Sequence, residues 1–186
     1  LSQLGNWTKD NLAPLYHLAT LASRWAYLFL LHNRHQEDGT DPEQEARHSL
    51  RQLKCARKLI EKVQSAIRLV RSLERGDSIH RLLLYHPDHC VKEAIRLYGA
   101  VKGRSSEELE QQLAAIDDTA SQLVIRDPRQ LQIDGHDLRA AIQAPPGPWI
   151  QKLLQQLYEE VAMGQLPNEK QAILARAISH YDQQYG

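Results

Sequence analysis

Apolar residues recur at steps of three and four along almost the whole chain, and capping signals or prolines separate the successive runs. This period is typical of amphipathic helices, whereas a half-buried strand would show strict alternation. Leu, Ala, Gln, Arg and Glu dominate the composition, which favours helix. The sequence therefore predicts an all-α fold. Within residues 42–73 the apolar side of the pattern is formed by Leu50, Leu53, Ile60, Val63, Ile67 and Val70.

The helix boundaries can be predicted from local signals. Residues 14–33 are apolar on most faces, which is typical of a buried central helix, and a loop is predicted at "HQEDGTDP". The next helical stretch begins at Asp41-Pro42, where Gln44 would complete a capping box, and it is interrupted once near residues 54–55. Further helices are predicted over "SIHRLLLYH", from Pro87, and from Ser105 with Glu108 to about Leu123.

The pattern changes at "VIRDPRQLQIDG", where alternating apolar residues and a proline indicate an extended linker. We therefore predict a helical body domain over residues 1–123 and a small three-helix tail domain over residues 124–186. The predicted helix starts in the tail are Asp134 with Asp137, Pro148, and Asn168 with Gln171.

Composition limits the cellular setting. No apolar run approaches the roughly 18 residues of a membrane span, and no basic segment with a cleavage site indicates secretion. Cys55 and Cys90 lack CxxC spacing, so we interpret them as buried thiols in a reducing compartment, with a disulfide as the less favoured alternative. We therefore expect a cytoplasmic protein with no membrane partner. Because the chain begins with Leu1 and not with methionine, we also expect it to be a piece of a longer polypeptide.

The net charge of zero conceals a separation of positive from negative residues. Between positions 47 and 75 the acidic residues are Glu61 and Glu74, and the basic residues are Arg47, Arg51, Lys54, Arg57, Lys58, Lys62, Arg68, Arg71 and Arg75. The basic positions 47, 51, 54 and 58 recur at helical steps. A solvated helix face is the alternative, but such a face usually alternates acids and bases. The one-sided charge favours a helical stripe that binds a phosphate backbone.

A second candidate contact lies in "QAPPGPWIQKLL", residues 143–154, where three prolines, a glycine and a tryptophan precede a helical run. Pro148 at the first helical position would leave the first N–H groups exposed, and such a helix start attracts phosphate. Lys152 lies one turn into this helix, and Arg139 lies on the helix before it. The alternative is that Trp149 and the prolines lock two helices together, and the two roles are compatible.

Catalytic and metal-binding patterns are weak. His136-Asp137 resembles the His-Asp pair of helical metal phosphohydrolases, but capping already accounts for Asp137. No phosphate-binding glycine loop, serine-hydrolase elbow or paired-aspartate motif of nucleotidyl transfer occurs. We therefore predict neither a catalytic residue nor a metal site, because no third ligand is matched to the tolerable spacings. Those spacings are His86 and His89 with Cys90, and His32 with His35.

Three spaced motifs lie in residues 131–171. They consist of Leu131, Ile133, Gly135, Asp137 and Leu138, then Gly147, Pro148, Trp149 and Ile150, then Leu166, Asn168 and Glu169. This series resembles the tail of bacterial class II tRNA nucleotidyltransferases, the CCA-adding enzymes. Upstream, "SRWAYLFLLH" resembles a helix of the family's body domain, and "LSQLG" resembles the stretch where neck joins body. The resemblance is specific in residues 131–171 and weak between residues 35 and 122.

The resemblance implies the body and tail portion of a CCA-adding enzyme. In that family the head and neck hold the active site, with Mg²⁺, CTP and ATP, and neither part is found in this sequence. We therefore expect this chain alone to transfer no nucleotide and to need no cofactor. The implied partner is tRNA and not DNA, gripped by the backbone of its acceptor–T arm so that the 3′ end reaches a distant active site. The expected RNA contacts are Arg51, Lys54, Lys58, Arg139, Gly147, Trp149 and Lys152.

Two other functions fit some of these features. The first is a helical protein–protein interaction module, whose basic face would meet an acidic partner. The second is a metal phosphohydrolase built on His136 and Asp137, which would require a bound metal ion.

Overall fold

The computed structural model describes residues 12–34 and 40–185, and within them it contains helices and no strand. The predicted all-α fold is confirmed. The predicted loop at "HQEDGTDP" falls mostly outside the described residues, and "LSQLG" falls wholly outside them. The α-helices are α1 Leu21–Arg34, α2 Pro42–Gln52, α3 Arg57–Glu74, α4 Ile79–Tyr85, α5 Asp88–Lys102, α6 Ser106–Gln122, α7 Gly135–Ile142, α8 Trp149–Ala162 and α9 Lys170–Tyr185, with short 3-10 helices at Ala13–His17 and Pro128–Gln130.

The chain divides between Asp118 and Thr119 into two compact units, called unit 1 and unit 2 below. This division falls inside α6, and the boundary predicted between residues 123 and 124 stays a prediction about domains. None of the helices in the described part of the chain is long and apolar enough to cross a membrane.

Unit 1 is organised around α3, which packs against α1, α2 and α5. Val63, Ile67 and Val70 recur at steps of three and four and are fully buried on one side of α3. Ala26 of α1 and Leu50 of α2 are buried with them. The apolar side that the sequence predicted therefore forms the core, except that the prediction is wrong for Leu53, which lies in the turn after α2 and is 61% exposed. The opposite side of α3 carries the basic residues.

The predicted helix over residues 14–33 is wrong at its beginning, because the chain leaves helical geometry between the 3-10 helix and α1. Leu18 is extended and buried. Thr20 then caps α1: the Ser23 N–H donates to Thr20 Oγ1 at 3.1 Å, and the Thr20 N–H donates to Ser23 Oγ at 3.3 Å. A hydroxyl that bonds to nearby backbone in this way favours a new helix start over continuation of the old helix.

The predicted interruption near residues 54–55 is confirmed. Lys54 adopts a left-handed backbone conformation with φ of 55°, which residues other than glycine rarely adopt. The next N–H, that of Cys55, donates to the Leu50 carbonyl at 2.9 Å and closes the end of α2. Asp41 caps the other end of α2 by accepting from the Glu43 N–H at 3.2 Å.

The linker predicted at "VIRDPRQLQIDG" is wrong, because this segment packs into unit 2. Ile125 and Ile133 are each only 6% exposed. Between them, Asp127 and Gln130 form a capping box around the 3-10 helix. The Val124 N–H donates to the carbonyl of Ala162 at the end of α8 at 2.9 Å. The alternating apolar residues therefore mark buried positions of an irregular segment.

Helices α7, α8 and α9 pack on one another around Leu138, Leu157 and Ile173, which are fully buried. The predicted capping box of Asp134 with Asp137 at the start of α7 is confirmed. This small three-helix arrangement is the one that the sequence predicted for the end of the chain.

Candidate nucleic-acid interface

The basic stripe lies on a corner where two helices meet. Arg47 and Arg51 lie on α2, Lys54 lies in the left-handed turn, and Lys58 and Lys62 lie on α3; all five side chains are exposed. We call this set the basic corner. The helical steps of the predicted stripe therefore do not follow one continuous helix, because α2 ends at Gln52 and α3 begins at Arg57, as the predicted interruption implies.

Two other basic residues of the run brace helices. Arg68 is paired with Glu43, and Arg71 is paired with Asp41, so both join α3 to the beginning of α2. Outside the run, Lys102 of α5 pairs with Glu74 of α3 at 2.9 Å. Within residues 12–34 and 40–185, no member of the basic corner forms an ion pair. The run therefore contains both bracing cations and a group of cations whose charge stays available to a ligand.

The proline-rich turn of unit 2 is locked by Trp149. This side chain is only 8% exposed, and its indole N–H donates to the Pro145 carbonyl at 2.8 Å. Its ring meets Tyr181 of α9 edge-on, with ring centroids 5.1 Å apart. A Cβ atom at Gly147 would lie 3.2 Å from Trp149 Cδ1, so glycine allows the chain to pass close to the ring. The structure therefore gives Trp149 and Gly147 the locking role.

The start of α8 is less open than the sequence indicated. Pro148 is the residue before the first helical one, and no side chain caps this end. However, the Ile150 N–H donates to the Gly147 carbonyl at 3.2 Å, so part of the helix start is already satisfied. Arg139 and Lys152 are exposed and have no ion pair with any described residue. These two cations are the parts of the turn region that remain available to an anion.

Comparison with known proteins identifies the family. A model of the family described as tRNA nucleotidyltransferase domain 2 matches residues 16–177, which is most of the chain. The chain belongs to this family. The sequence-based resemblance to CCA-adding enzymes is thereby confirmed.

The curated relatives of this tRNA nucleotidyltransferase family member are bacterial CCA-adding enzymes. The enzyme of Bacillus cereus strain B4264 is 28% identical over 128 residues, covering 67% of this chain and 30% of the relative. The enzyme of Lactiplantibacillus plantarum is 28% identical over 166 residues, covering 87% of this chain and 37% of the relative. The chain thus spans about a third of the length of the curated relatives it matches.

A solved structure shows the same fold. The crystal structure of the Bacillus stearothermophilus CCA-adding enzyme in complex with CTP superposes with a TM-score of 0.71. The match covers 90% of this chain and 40% of that chain, at 20% sequence identity. At this identity the likeness establishes the helical fold that this part of the family shares.

Two family-motif residues have structural roles in unit 2. Asn168 bridges to the segment before α7: its Oδ1 accepts from the Gln132 N–H at 3.1 Å, and its Nδ2 donates to the Gln130 carbonyl at 2.9 Å. The predicted capping box of Asn168 with Gln171 is therefore wrong, because the Asn168 amide bonds to a distant segment. Gly135 allows α7 to approach α8, since a Cβ atom there would lie 3.1 Å from Ile150 Cγ2.

The surroundings of the His136-Asp137 pair are not those of a metal site. The Asp137 carboxylate accepts from the Asp134 N–H and pairs with Lys170 at 2.6 Å, and the hydrogen bond from Lys170 lowers the pKa of Asp137. In the described ranges, no group of three or more His, Cys, Asp or Glu residues could hold a metal ion. His35 lies outside those ranges. The structure therefore accounts for Asp137 as a capping and pairing residue.

A cavity of about 460 Å³ lies in unit 1, with an apolar floor that includes Leu59 and Leu69. Cys90 lines it, and the thiol lies 3.4 Å from His89 Nε2. Burial raises the pKa of Cys90, so the thiol stays protonated at neutral pH, whereas a nucleophilic cysteine requires a lowered pKa. This cavity therefore presents no activated nucleophile.

Sequence reasoning missed an aromatic group at the end of α9. Tyr181 packs between Trp149 and Tyr185, and the Tyr181 and Tyr185 centroids are 5.1 Å apart. The signal was present in "YDQQY", where two tyrosines stand four positions apart and so share one face of a helix.

Proposed function

We propose that this chain binds tRNA as the body and tail portion of a cytoplasmic CCA-adding enzyme. Unit 1 would correspond to the body and unit 2 to the tail. The RNA would be held by the backbone of its acceptor–T arm, with the 3′ end directed to a nucleotidyltransferase site in another part of the enzyme, where Mg²⁺, CTP and ATP act. The observation that carries the proposal is the basic corner, whose cations form no ion pair with described residues, whereas Arg57, Arg68 and Arg71 of the same run do.

The physical basis is the chemistry of an RNA duplex. Its narrow major groove hides the bases, so proteins bind it mainly through phosphates and 2′-hydroxyl groups. Exposed Arg and Lys side chains suit that surface, because each neutralised phosphate releases condensed counterions. Arg51 also has an alternative, structural role, because a cation in the last turn of α2 interacts favourably with the helix dipole. That effect does not account for Lys54, Lys58 and Lys62, which lie beyond the end of α2.

In unit 2 we propose direct contacts from Arg139 and Lys152, and a positioning role for Gly147 and Trp149. Trp149 is buried and its N–H is already bonded, so its ring supports the proposal by fixing the turn. A fixed turn would hold Lys152 at a constant place relative to α9. The contacts of Arg139 and Lys152 with the RNA would then have a defined geometry.

The proposal is tested by titrating the chain with full-length tRNA over a series of salt concentrations. The triple variant Arg51→Gln, Lys54→Gln, Lys58→Gln should reduce the slope of log affinity against log salt by about 2–3, since each phosphate contributes roughly 0.7–0.9. Its unfolding free energy should change by less than about 0.5 kcal/mol per substitution, because the three side chains are exposed.

A matched control is the double variant Arg57→Gln, Glu61→Gln, which removes an exposed ion pair of α3 and leaves the net charge unchanged. It should keep the slope of the original chain. An unchanged slope in the triple variant would exclude the basic corner as a contact. If the original chain binds no tRNA even at low salt, the proposed function is wrong, and an acidic protein partner becomes the better hypothesis.

A further inference from the structure

The aromatic group at the end of α9 runs from the core of unit 2 to its surface. Trp149 is buried, Tyr181 is partly exposed, and Tyr185 is 51% exposed. The two tyrosine rings are inclined by 32° with centroids 5.1 Å apart, and the inner ring is held edge-on by Trp149. Tyr185 is therefore an exposed ring that packs on a fixed neighbour. Such a ring loses less conformational entropy when it binds a ligand than a freely moving side chain does.

An available cation lies on the strip of α8 that faces this group. Trp149 contacts Tyr181, and Gln156, seven positions later, contacts Gln184, whose Nε2 donates to Gln156 Oε1 at 3.2 Å. Lys152 lies between these two positions, three residues after the first and four before the second, so the helical repeat puts it on the same strip. It is exposed and has no ion pair with a described residue.

We propose that Tyr185, supported by Tyr181, is a stacking platform for an unpaired RNA base, and that Lys152 contacts a phosphate next to that base. A positive side chain beside exposed aromatic rings is the arrangement by which proteins bind unpaired nucleotides, because every base has a face that can stack. Bases of this kind occur in RNA loops and not in a continuous duplex. This inference rests on the proposed function and adds a base contact to the phosphate contacts described above.

The inference makes a prediction that phosphate binding alone does not. Stacking is not an ion-release reaction, so it should change the affinity at every salt concentration without changing the salt slope. Tyr185→Leu should weaken tRNA binding about tenfold or more at each salt concentration, within the range found for single base–aromatic stacks. Tyr185→Phe, which keeps the ring, should bind like the original chain. Lys152→Gln should instead reduce the slope by roughly 0.7–0.9.

The test is a titration of these variants with full-length tRNA and with a plain RNA duplex of equal length. Tyr185→Leu should lose affinity for tRNA and keep its affinity for the duplex. Tyr16→Leu is the matched control, because Tyr16 is 86% exposed and lies in unit 1 outside this group. Circular dichroism melting curves should show that the Tyr185 variants fold like the original chain.

The outcomes separate the two proposals. If the original chain binds tRNA and Tyr185→Leu binds it equally well, the stacking platform is wrong and the tRNA-binding function stands. If Tyr185→Leu weakens the duplex as much as tRNA, the contact is not to an unpaired base and the inference is also wrong. If the original chain binds no tRNA at low salt, the proposed function fails and this inference fails with it.

Discussion

The two units differ in how closely the residues around their available cations take part in the packing of the core. In unit 1 the basic corner lies where α2 ends and α3 begins, and its side chains are exposed. The packing of those helices depends on other residues, such as Val63 and Ile67. In unit 2 the residues around the turn are themselves part of the packing, since Trp149 is buried and Gly147 lies against its ring. The proposed binding and the stability are therefore expected to be separable in unit 1 and coupled in unit 2.

The largest expected effect follows from removing the lock of unit 2. Trp149→Ala should lower the free energy of unfolding by about 3–5 kcal/mol, because it deletes a large buried ring, its contact with Tyr181 and the hydrogen bond to Pro145. Trp149→Phe keeps an aromatic ring and loses the N–H donor and part of the buried indole, so it should cost less than Trp149→Ala. Urea denaturation measures both values.

Hydrogen exchange then shows where the loss occurs. In Trp149→Ala the amides of α7, α8 and α9 should exchange faster, because the ring joins the turn to the end of α9. An unchanged exchange rate in these helices would contradict the locking role. Combined with the triple variant of the basic corner, which should bind less and stay equally stable, this result would sharpen the contrast between the units.

A smaller effect is expected at the junction of α8 and α9. Glu160 accepts two hydrogen bonds from Arg176, at 2.8 and 3.2 Å, and one contact from His180 at 2.7 Å. Burial alone would raise the pKa of Glu160, but the hydrogen bonds from Arg176 and His180 outweigh it and lower this pKa below its usual 4.5. Glu160→Gln should cost about 2 kcal/mol at pH 7, because bonds to a charged acceptor are lost.

The pH dependence of this effect has a definite sign. A carboxylate whose pKa is lowered by folding stabilises the folded state above the usual pKa, and that contribution is lost as the pH falls through the lowered value. The difference in unfolding free energy between the original chain and Glu160→Gln should therefore shrink below about pH 4.5. Glu61→Gln is the control, since its exposed pair with Arg57 should contribute little at any pH. A difference that stays constant down to about pH 3 would contradict the role given to Glu160.

Local signals explain which structural features were predictable. The helix periodicity predicted the fold class, and short-range caps such as Asp134 with Asp137, or Ser105 with Glu108, needed only three neighbouring positions. The pairing of the basic run was not predictable in this way. Arg68 finds Glu43 across 25 positions of sequence, so only the packed helices reveal which cations are left for a ligand.

The segment between α6 and α7 shows the same limit. Alternating apolar residues at Ile125 to Ile133 indicated an extended linker, because a buried irregular segment and an exposed extended one have similar local patterns. The family motif around Asn168 was recognised, but its local sequence resembled a helix cap. Its partners, Gln130 and Gln132, lie more than 35 positions away.

The smallest expected effect tests that assignment of Asn168. Asn168→Ala should lower the unfolding free energy by about 1 kcal/mol, since water can reach this partly exposed site and replace part of the lost bonding. Asn168→Asp should retain the acceptor for the Gln132 N–H and lose the donor to the Gln130 carbonyl. In Asn168→Ala the Gln132 amide should exchange faster with solvent, and in Asn168→Asp it should stay protected. A capping role would give a different pattern, in which the first amides of α9 lose protection and the Gln132 amide does not. Because Asn168 lies in unit 2 and belongs to neither the basic corner nor its helices, neither substitution should change the part of the salt slope that Arg51, Lys54 and Lys58 contribute.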